Sequence, residues 1–175
     1  MRPYHVAGIR LTGFALAAGM ALAAAADIPP LPPLKPYSLA VPLVREGRPQ
    51  AVIVAPQTET FQALAARLNA RLKELTGAAL PLRAPQTLSD SDYASLNMVL
   101  LGNFADNPAV VPLYLQHYVM ADDVWPGDGG YELRTVHAPW GGDRGYLYLG
   151  GSNAAGVGLA MDAFLAGLAP GPTLE

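Results

Sequence analysis

The most regular hydrophobic pattern in the chain lies between residues 58 and 76. Apolar side chains recur there every three or four positions, and mostly charged or polar residues lie between them. This spacing places the apolar residues on one face of an α-helix, so the segment predicts an amphipathic helix. Thr58 is a suitable N-cap, and Gly77 stands where a left-handed residue commonly ends a helix. The apolar positions are Phe61, Leu64, Ala65, Leu68, Leu72 and Leu75.

Several short apolar runs bounded by glycine, proline or polar residues predict the strands of a sheet. Pro42 cannot donate a backbone hydrogen bond, so the run that contains it is expected at a sheet edge. The last two runs are separated by a glycine-rich link and are expected to pair with each other. The predicted strands are Ser38–Val44, Ala51–Val54, Leu80–Arg83, Met98–Leu101, Tyr131–Val136 and Gly145–Leu149.

A second main helix is predicted from Asn153 to Leu168, where apolar residues again recur at helical spacing. Ser152 or Asn153 can serve as its N-cap, and the glycine and proline after Pro170 would stop it. The connecting segments are predicted as a polar loop at Pro85–Asp92, a short helix at Pro108–Tyr114 and a turn region at Trp125–Gly130.

The order of these elements predicts an α+β (α/β) fold. A single mixed β-sheet would carry two main helices packed on one face, because each helix has an apolar side that must be buried. The predicted domain spans residues 48–168. A proline-rich spacer with the candidate edge strand precedes it at 27–47, and residues 169–175 are expected to begin a linker to a downstream domain.

The amino terminus is typical of a signal peptide. Arg2 and Arg10 precede an apolar run that ends in small residues, Ala23–Ala26, and the run is short for a membrane span. We therefore expect cleavage near Ala26, removal of residues 1–26 and a periplasmic or extracellular protein. The alternative is an uncleaved membrane anchor. Five prolines between residues 27 and 36 then disfavour helix, which predicts an extended spacer.

The net charge and the absence of cysteine exclude several classes of binding partner and of chemistry. Loss of Arg2 and Arg10 would leave a net charge of about −5, with the basic residues scattered, so no nucleic acid is expected as a partner. After cleavage no membrane association is expected either. The chain has no cysteine, which excludes disulfides, thiolate chemistry and cysteine-ligated metals.

No residue pattern identifies a catalytic centre. Five candidate carboxylates lack a motif that would mark an acid and a nucleophile, and the glycine and proline residues near them are typical of turns. His117 and His137 lack the spacing of metal ligands. We therefore predict no catalytic residue, no metal and no cofactor. The carboxylates are Asp122, Asp123, Asp128, Glu132 and Asp143.

Aromatic residues are the remaining candidates for a binding site. Trp and Tyr side chains can stack on pyranose rings, and amide or carboxylate groups beside them can bind sugar hydroxyls. The alternative is that these aromatics cover the core beneath long loops. The residues proposed to form a glycan-binding cluster are Trp125, Asp128, Tyr131, Trp140 and Asn103.

Three stretches together resemble a known family domain. The first runs from Ala51–Pro56 into the helix that ends at Thr76 and Gly77, the second is Val99–Asn103, and the third is Asp128–Arg134, followed by Leu149–Ser152 and Gly156. Over about residues 48–168 the chain is similar to the non-catalytic N-terminal α/β domain of bacterial β-N-acetylhexosaminidases and α-glucuronidases, a hexosaminidase domain 2-like module.

The resemblance implies a non-catalytic accessory domain of an exported glycoside hydrolase, packed against a downstream catalytic domain of the same polypeptide. It transfers no active-site residue, because the family's catalytic motif lies in the barrel and only Gly141–Asp143 recurs here, which we interpret as a turn. One alternative is a free-standing glycan-binding module that binds polysaccharide. Another is a small enzyme acting through Asp128 and Glu132.

Overall fold

The central sheet has five strands in the order β4–β3–β5–β7–β6. The first four in that order run parallel, and β6 pairs antiparallel with β7, so the mixed sheet is confirmed. The computed structural model describes residues 40–175, and the predicted signal peptide and most of the proline-rich spacer lie outside them. The strands are β3 (Ala51–Val54), β4 (Leu82–Arg83), β5 (Asn97–Leu101), β6 (Glu132–His137) and β7 (Gly145–Gly150).

The two main helices pack on one face of this sheet, as predicted. Leu68 and Leu72 of the first, and Val157 and Met161 of the last, are buried in one cluster with alternate residues of β3, β5 and β7 such as Val99. The remaining helices are single-turn or two-turn segments. The helices are α1 (Glu59–Thr76), α2 (Asp90–Ser95), α3 (Val111–Leu115) and α4 (Ala154–Ala166).

The opposite face of the sheet is also covered. Met98, Tyr146 and Tyr148 alternate with the residues that face α1 and α4, and they are buried against Leu113 and Val119 of the segment after β5. This long segment between β5 and β6 therefore forms a second layer over the sheet. The parallel strands are buried on both faces, which accounts for their almost entirely apolar sequences.

Residues at the helix ends explain where α1 ends and where α4 begins. Gly77 has a φ of 81°, in the left-handed region that favours glycine, and its amide donates to the carbonyl of Lys73. Asn153 caps α4, because its side-chain oxygen accepts from the amide of Gly156. Thr58 has extended backbone at the start of α1, but its side chain makes no capping hydrogen bond.

Two predicted elements differ in the structure. The polar loop expected at Pro85–Asp92 contains a 3₁₀ turn at Pro85–Thr87 and the first turn of α2. A capping box starts this helix, since the carboxylate of Asp92 accepts from the amide of Ser89 at 2.7 Å. The expected edge strand at Ser38–Val44 is reduced to β1 (Val44–Arg45), which pairs with β2 (Arg48–Pro49) in a separate two-stranded sheet.

Both ends of the described chain belong to the packed unit. Val41 and Leu43 are buried in the core, so the fold extends before residue 48. Leu174 exchanges backbone hydrogen bonds with Val44, and the amide of Gly47 donates to the carbonyl of Pro172. The segment predicted as the start of a linker at 169–175 thus packs against the β1–β2 hairpin. No helix within residues 40–175 is long and apolar enough to cross a membrane.

Candidate functional site

The carboxyl edge of the parallel sheet is the common position of ligand sites in folds of this type. Open α/β sheets bind ligands in crevices where parallel strands end, at the point where the strand order reverses. Here that point lies between β3 and β5, because the chain moves from β3 outward to β4 and then returns to the other side of β3. The strands end at Val54, Leu101 and Gly150.

Asn107 closes the crevice between β3 and β5. Its side-chain Nδ2 donates to the carbonyl oxygen of Leu101 at 2.7 Å and to that of Val54 at 3.3 Å, and its Oδ1 accepts from the amide of Ala109 at 3.0 Å. The residue is fully buried. Only 3.3 Å would separate a Cβ at Gly102 from the Cβ of Asn107, so little space remains at the switch point.

Asn103 joins the ends of β5 and β7. Its Nδ2 donates to the carbonyl of Gly151 at 3.0 Å, and its Oδ1 accepts from the amides of Ala105 and Asp106 at 2.8 and 2.9 Å. The residue is only 1% exposed. Asn103 was predicted as a glycan contact, and this is wrong because its amide is buried and used by the backbone.

Glu132 has a similar structural role at the start of β6. One carboxylate oxygen accepts from the amides of Met120 and Ala121 at 2.9 and 3.0 Å, and the other lies 3.1 Å from Nε of Arg134. Glu132 is 6% exposed, so this charge is paired and hydrogen-bonded beneath the loop. It fixes the segment after β5 to the edge strand and presents no carboxylate to solvent.

Asp122 organises the loop that follows. Oδ1 accepts from the amides of Trp125 and Val124 at 2.7 and 2.9 Å, and Oδ2 accepts from the hydroxyl of Tyr114 at 2.9 Å. The two amide hydrogen bonds, led by that of Trp125, and then the Tyr114 hydroxyl hold the pKa of this carboxyl below its usual range. The predicted turn role of Asp122 is confirmed.

The hydroxyl of Tyr148 lies in the interior beside this region. Burial raises its pKa, and the charge of Glu132 raises it further. No group among residues 40–175 forms a hydrogen bond with it. The Tyr148 hydroxyl therefore stays protonated, and its ring is buried in the core on this face of the sheet.

Trp125 and Tyr131 are exposed, whereas Trp140 lies elsewhere. The register of β6 and β7 pairs Glu132 with Gly150 but His137 with Gly145, so the turn containing Trp140 lies at the amino edge of the parallel strands. The indole of Trp140 packs edge-on against Tyr93 at a centroid distance of 6.1 Å. The expected cluster of Trp140 with the other two aromatics is therefore wrong, because the strand direction separates them.

Asp128 and Glu132 lie in different environments. Asp128 is exposed on the turn, 3.3 Å from the Nδ2 of Asn153, while Glu132 is buried beneath the neighbouring loop. The two histidines are also apart, with His117 in the turn after α3 and His137 at the end of β6. Within the described residues no three His, Cys, Asp or Glu side chains form a group that could hold a metal.

The outer surface of α4 is unusually apolar. Its exposed positions include Ala155, Leu159, Asp162 and Ala166, with Leu159 43% exposed and Asp162 as the one charged residue of the helix. A shallow groove runs between α4 and α1, where Asp162 forms an exposed ion pair with Arg67 at 3.1 Å. The helix is apolar on nearly all sides, which is typical of a helix covered on more than one side.

The sequence analysis assigned no role to Asn107, and it did not predict that the side chain of Asn103 would bind the backbone. The signal was present, since an asparagine in the loop after a buried parallel strand can donate to the free carbonyls at the strand end. No family model matches the chain, and no curated protein is significantly similar to it in sequence.

Proposed function

We propose that this chain is a non-catalytic accessory domain of an exported carbohydrate-active enzyme of the glycoside hydrolase type. One observation carries the proposal. Enzymes with an open α/β sheet commonly hold their ligand at the carboxyl edge of the sheet. In this chain that edge is filled by the buried side-chain amides of Asn103 and Asn107. The resemblance to the N-terminal domain of hexosaminidases and α-glucuronidases supplies the class of enzyme.

The distribution of carboxylates supports the same conclusion. Glycoside hydrolysis uses two carboxyl groups that flank one bond across a cleft. Asp122 and Glu132 instead accept hydrogen bonds from backbone amides, and Asp128 is exposed on a turn. Two of these three carboxylates are therefore engaged by the backbone of the same domain.

The outer face of α4 is the surface that packs against the catalytic domain. Leu159 and Ala155 are exposed apolar residues beside the groove to α1, and the exposed pair of Arg67 and Asp162 borders it. Apolar surface of this kind is stabilised by removal from water, at about 25 cal/mol for each Å² buried. An interface with a partner domain would therefore stabilise both.

The test is a comparison of Leu159→Asp in two proteins, the chain alone and the native polypeptide that joins it to a catalytic domain. Leu159 is 43% exposed in the isolated fold, so the variant should lower its melting temperature only slightly there. In the joined polypeptide it should lower the melting temperature of this domain, because a charge would be buried at the interface. Leu115→Asp, at a residue 66% exposed on α3, is the control.

A reading frame that encodes no glycoside hydrolase domain with this one would contradict the proposal. If Leu159→Asp and Leu115→Asp lower the melting temperature of the joined polypeptide equally, α4 does not form the interface.

A further inference from the structure

We propose that the segment Trp125–Tyr131, the aromatic turn, is a contact site for glycans that carry no carboxylate groups. The inference goes beyond the accessory role, since a domain can pack against a catalytic partner with or without binding polysaccharide itself. It rests on the shape of this turn, its attachment to α4, its exposed aromatic rings and the charge around it.

The turn is closed at its base. The amide of Gly130 donates to the carbonyl of Gly127 at 3.1 Å, and a Cβ at Gly130 would lie only 2.9 Å from the Cβ of Pro126. Pro126 and Gly130 are therefore in direct contact. Trp125 and Tyr131 are the residues on either side of this contact, so the closed turn brings their backbones near each other at its base.

Both aromatic side chains remain accessible despite this close packing. Trp125 is 49% exposed and Tyr131 is 45% exposed. Val124, next to Trp125, is 78% exposed. Exposed apolar side chains concentrated in one place on a folded domain mark a site of interaction, because the same area would be more stable out of water.

The turn is attached to the start of α4 at three points. The amide of Gly127 donates to Oγ of Ser152 at 2.9 Å, and Nδ2 of Asn153 donates to Asp128 at 3.3 Å. The carbonyl of Gly130 lies so near Gly156 that a Cβ there would come within 2.6 Å of it. The aromatic residues are thus held on a rigid support, which lowers the entropy lost when a ligand binds.

The chemistry of the turn fits a sugar. The faces of tryptophan and tyrosine stack on the C–H surface of a pyranose ring, and a carboxylate accepts hydrogen bonds from ring hydroxyls. Asp128 lies in the turn, between Trp125 and Tyr131 in the sequence, is exposed, and is oriented by Asn153. Asn153 is in turn fixed by accepting from the amide of Gly156.

Local charge selects among glycans. Residues 103–131 contain no lysine or arginine, and Asp106, Asp122, Asp123 and Asp128 lie in the same segment. A polyuronate would meet repulsion here and find no cationic partner within this segment. Neutral hexose or pentose chains and N-acetylated amino sugars carry no charge that opposes binding, so the glycan is uncharged.

The experiment measures binding of the purified chain by isothermal titration calorimetry. The probes are cellohexaose, xylohexaose, mannohexaose and chitohexaose, with a galacturonate hexamer as the charged comparison. We expect at least one neutral hexamer to bind with a dissociation constant of about 1 mM or tighter. The galacturonate hexamer should bind at least about tenfold more weakly.

Two variants and one control locate the site. Trp125→Ala and Tyr131→Ala should each weaken binding about tenfold or more, which corresponds to the loss of one stacked ring. Leu115→Ala removes a side chain that is 66% exposed outside the turn and should leave binding unchanged. Circular dichroism of each variant confirms that a loss of binding is not a loss of fold.

Three results would overturn the proposal. These are no binding of any neutral hexamer at about 10 mM, equal binding by Trp125→Ala and the unaltered chain, or galacturonate binding as tight as that of the neutral glycans. If Trp125→Ala leaves glycan binding intact and destabilises only the polypeptide joined to a catalytic domain, the turn is a protein contact and the proposed accessory function still stands.

Discussion

The side-chain amide of Asn103 donates a hydrogen bond of 3.0 Å to the carbonyl oxygen of Gly151. This bond joins the ends of two neighbouring parallel strands, β5 and β7, at the edge where α/β proteins commonly bind ligands. Asn107 makes the equivalent connection between β5 and β3. Backbone carbonyls that could have been left for a ligand or for water are thus used by the protein itself.

Replacement of Asn103 by alanine should destabilise the fold by about 3 kcal/mol. The variant leaves the buried carbonyl of Gly151 and the partly buried amides of Ala105 and Asp106 without their side-chain partner, and a buried group left in this way costs about 1–3 kcal/mol. Urea denaturation measures the change. The exposed Gln116→Ala is the control, with an expected change within about 0.5 kcal/mol.

Leu68→Ala should lower the free energy of unfolding by about 2 to 4 kcal/mol. Leu68 is completely buried at the centre of the α1 stripe against the sheet, so the substitution removes buried methyl groups and leaves a cavity. Its neighbour Arg67 is half exposed and its ion pair with Asp162 is in solvent, so Arg67→Ala should cost less than about 1 kcal/mol. Equal losses in denaturant melts would contradict the orientation of α1.

Two glycines of α4 should respond to alanine in opposite directions. Gly158 has only ordinary contacts at 3.7 Å and beyond, so Gly158→Ala should stabilise the helix by about 0.5 to 1 kcal/mol through lower entropy of the unfolded chain. Gly156→Ala places a methyl 2.6 Å from the carbonyl of Gly130 and should destabilise the fold. Thermal melts of the two variants, compared at equal pH, give the result, and the same sign for both would contradict the packing of the aromatic turn on α4.

Asp122 should contribute a pH-dependent part of stability. Its folded-state pKa is lowered by the amides of Trp125 and Val124 and by the Tyr114 hydroxyl, while the unfolded-state pKa is about 3.9. The contribution is therefore fully present above the unfolded pKa and is lost as the pH falls through the folded pKa. Melting temperatures between about pH 5 and 2 should fall less steeply for Asp122→Asn than for the unaltered chain. Asp143→Asn, at a side chain 84% exposed, is the control and should keep the original slope.

The hydrophobic pattern predicted the elements that depend on local periodicity and caps. The helix from Glu59 to Thr76, its end at Gly77 and the buried strand ending at Leu101 all follow from short-range rules. The helix at Asp90–Ser95 was missed because its serines and aspartates were interpreted as loop residues, although Ser89 and Asp92 form a capping box.

Where the predicted glycan-binding residues lie in the fold depends on the direction in which the strands run, and the hydrophobic pattern does not reveal this direction. Trp125 and Trp140 were expected in one cluster, but they lie on either side of β6, and this strand carries them to opposite edges of the sheet. Asn103 was expected to belong to the same glycan-binding cluster. Only the packing of the segment 103–131 over the sheet shows that it is buried.

Turnover by the purified chain is the most direct test of our proposal that this domain performs no glycoside hydrolysis of its own. Release of the aryl group from aryl β-N-acetylglucosaminides and aryl glucuronides should equal that of buffer, because hydrolysis needs two available carboxyl groups and those of Asp122 and Glu132 accept hydrogen bonds from backbone amides. Turnover above buffer that is abolished by Asp128→Asn or Glu132→Gln, with the fold of each variant intact, would contradict the account.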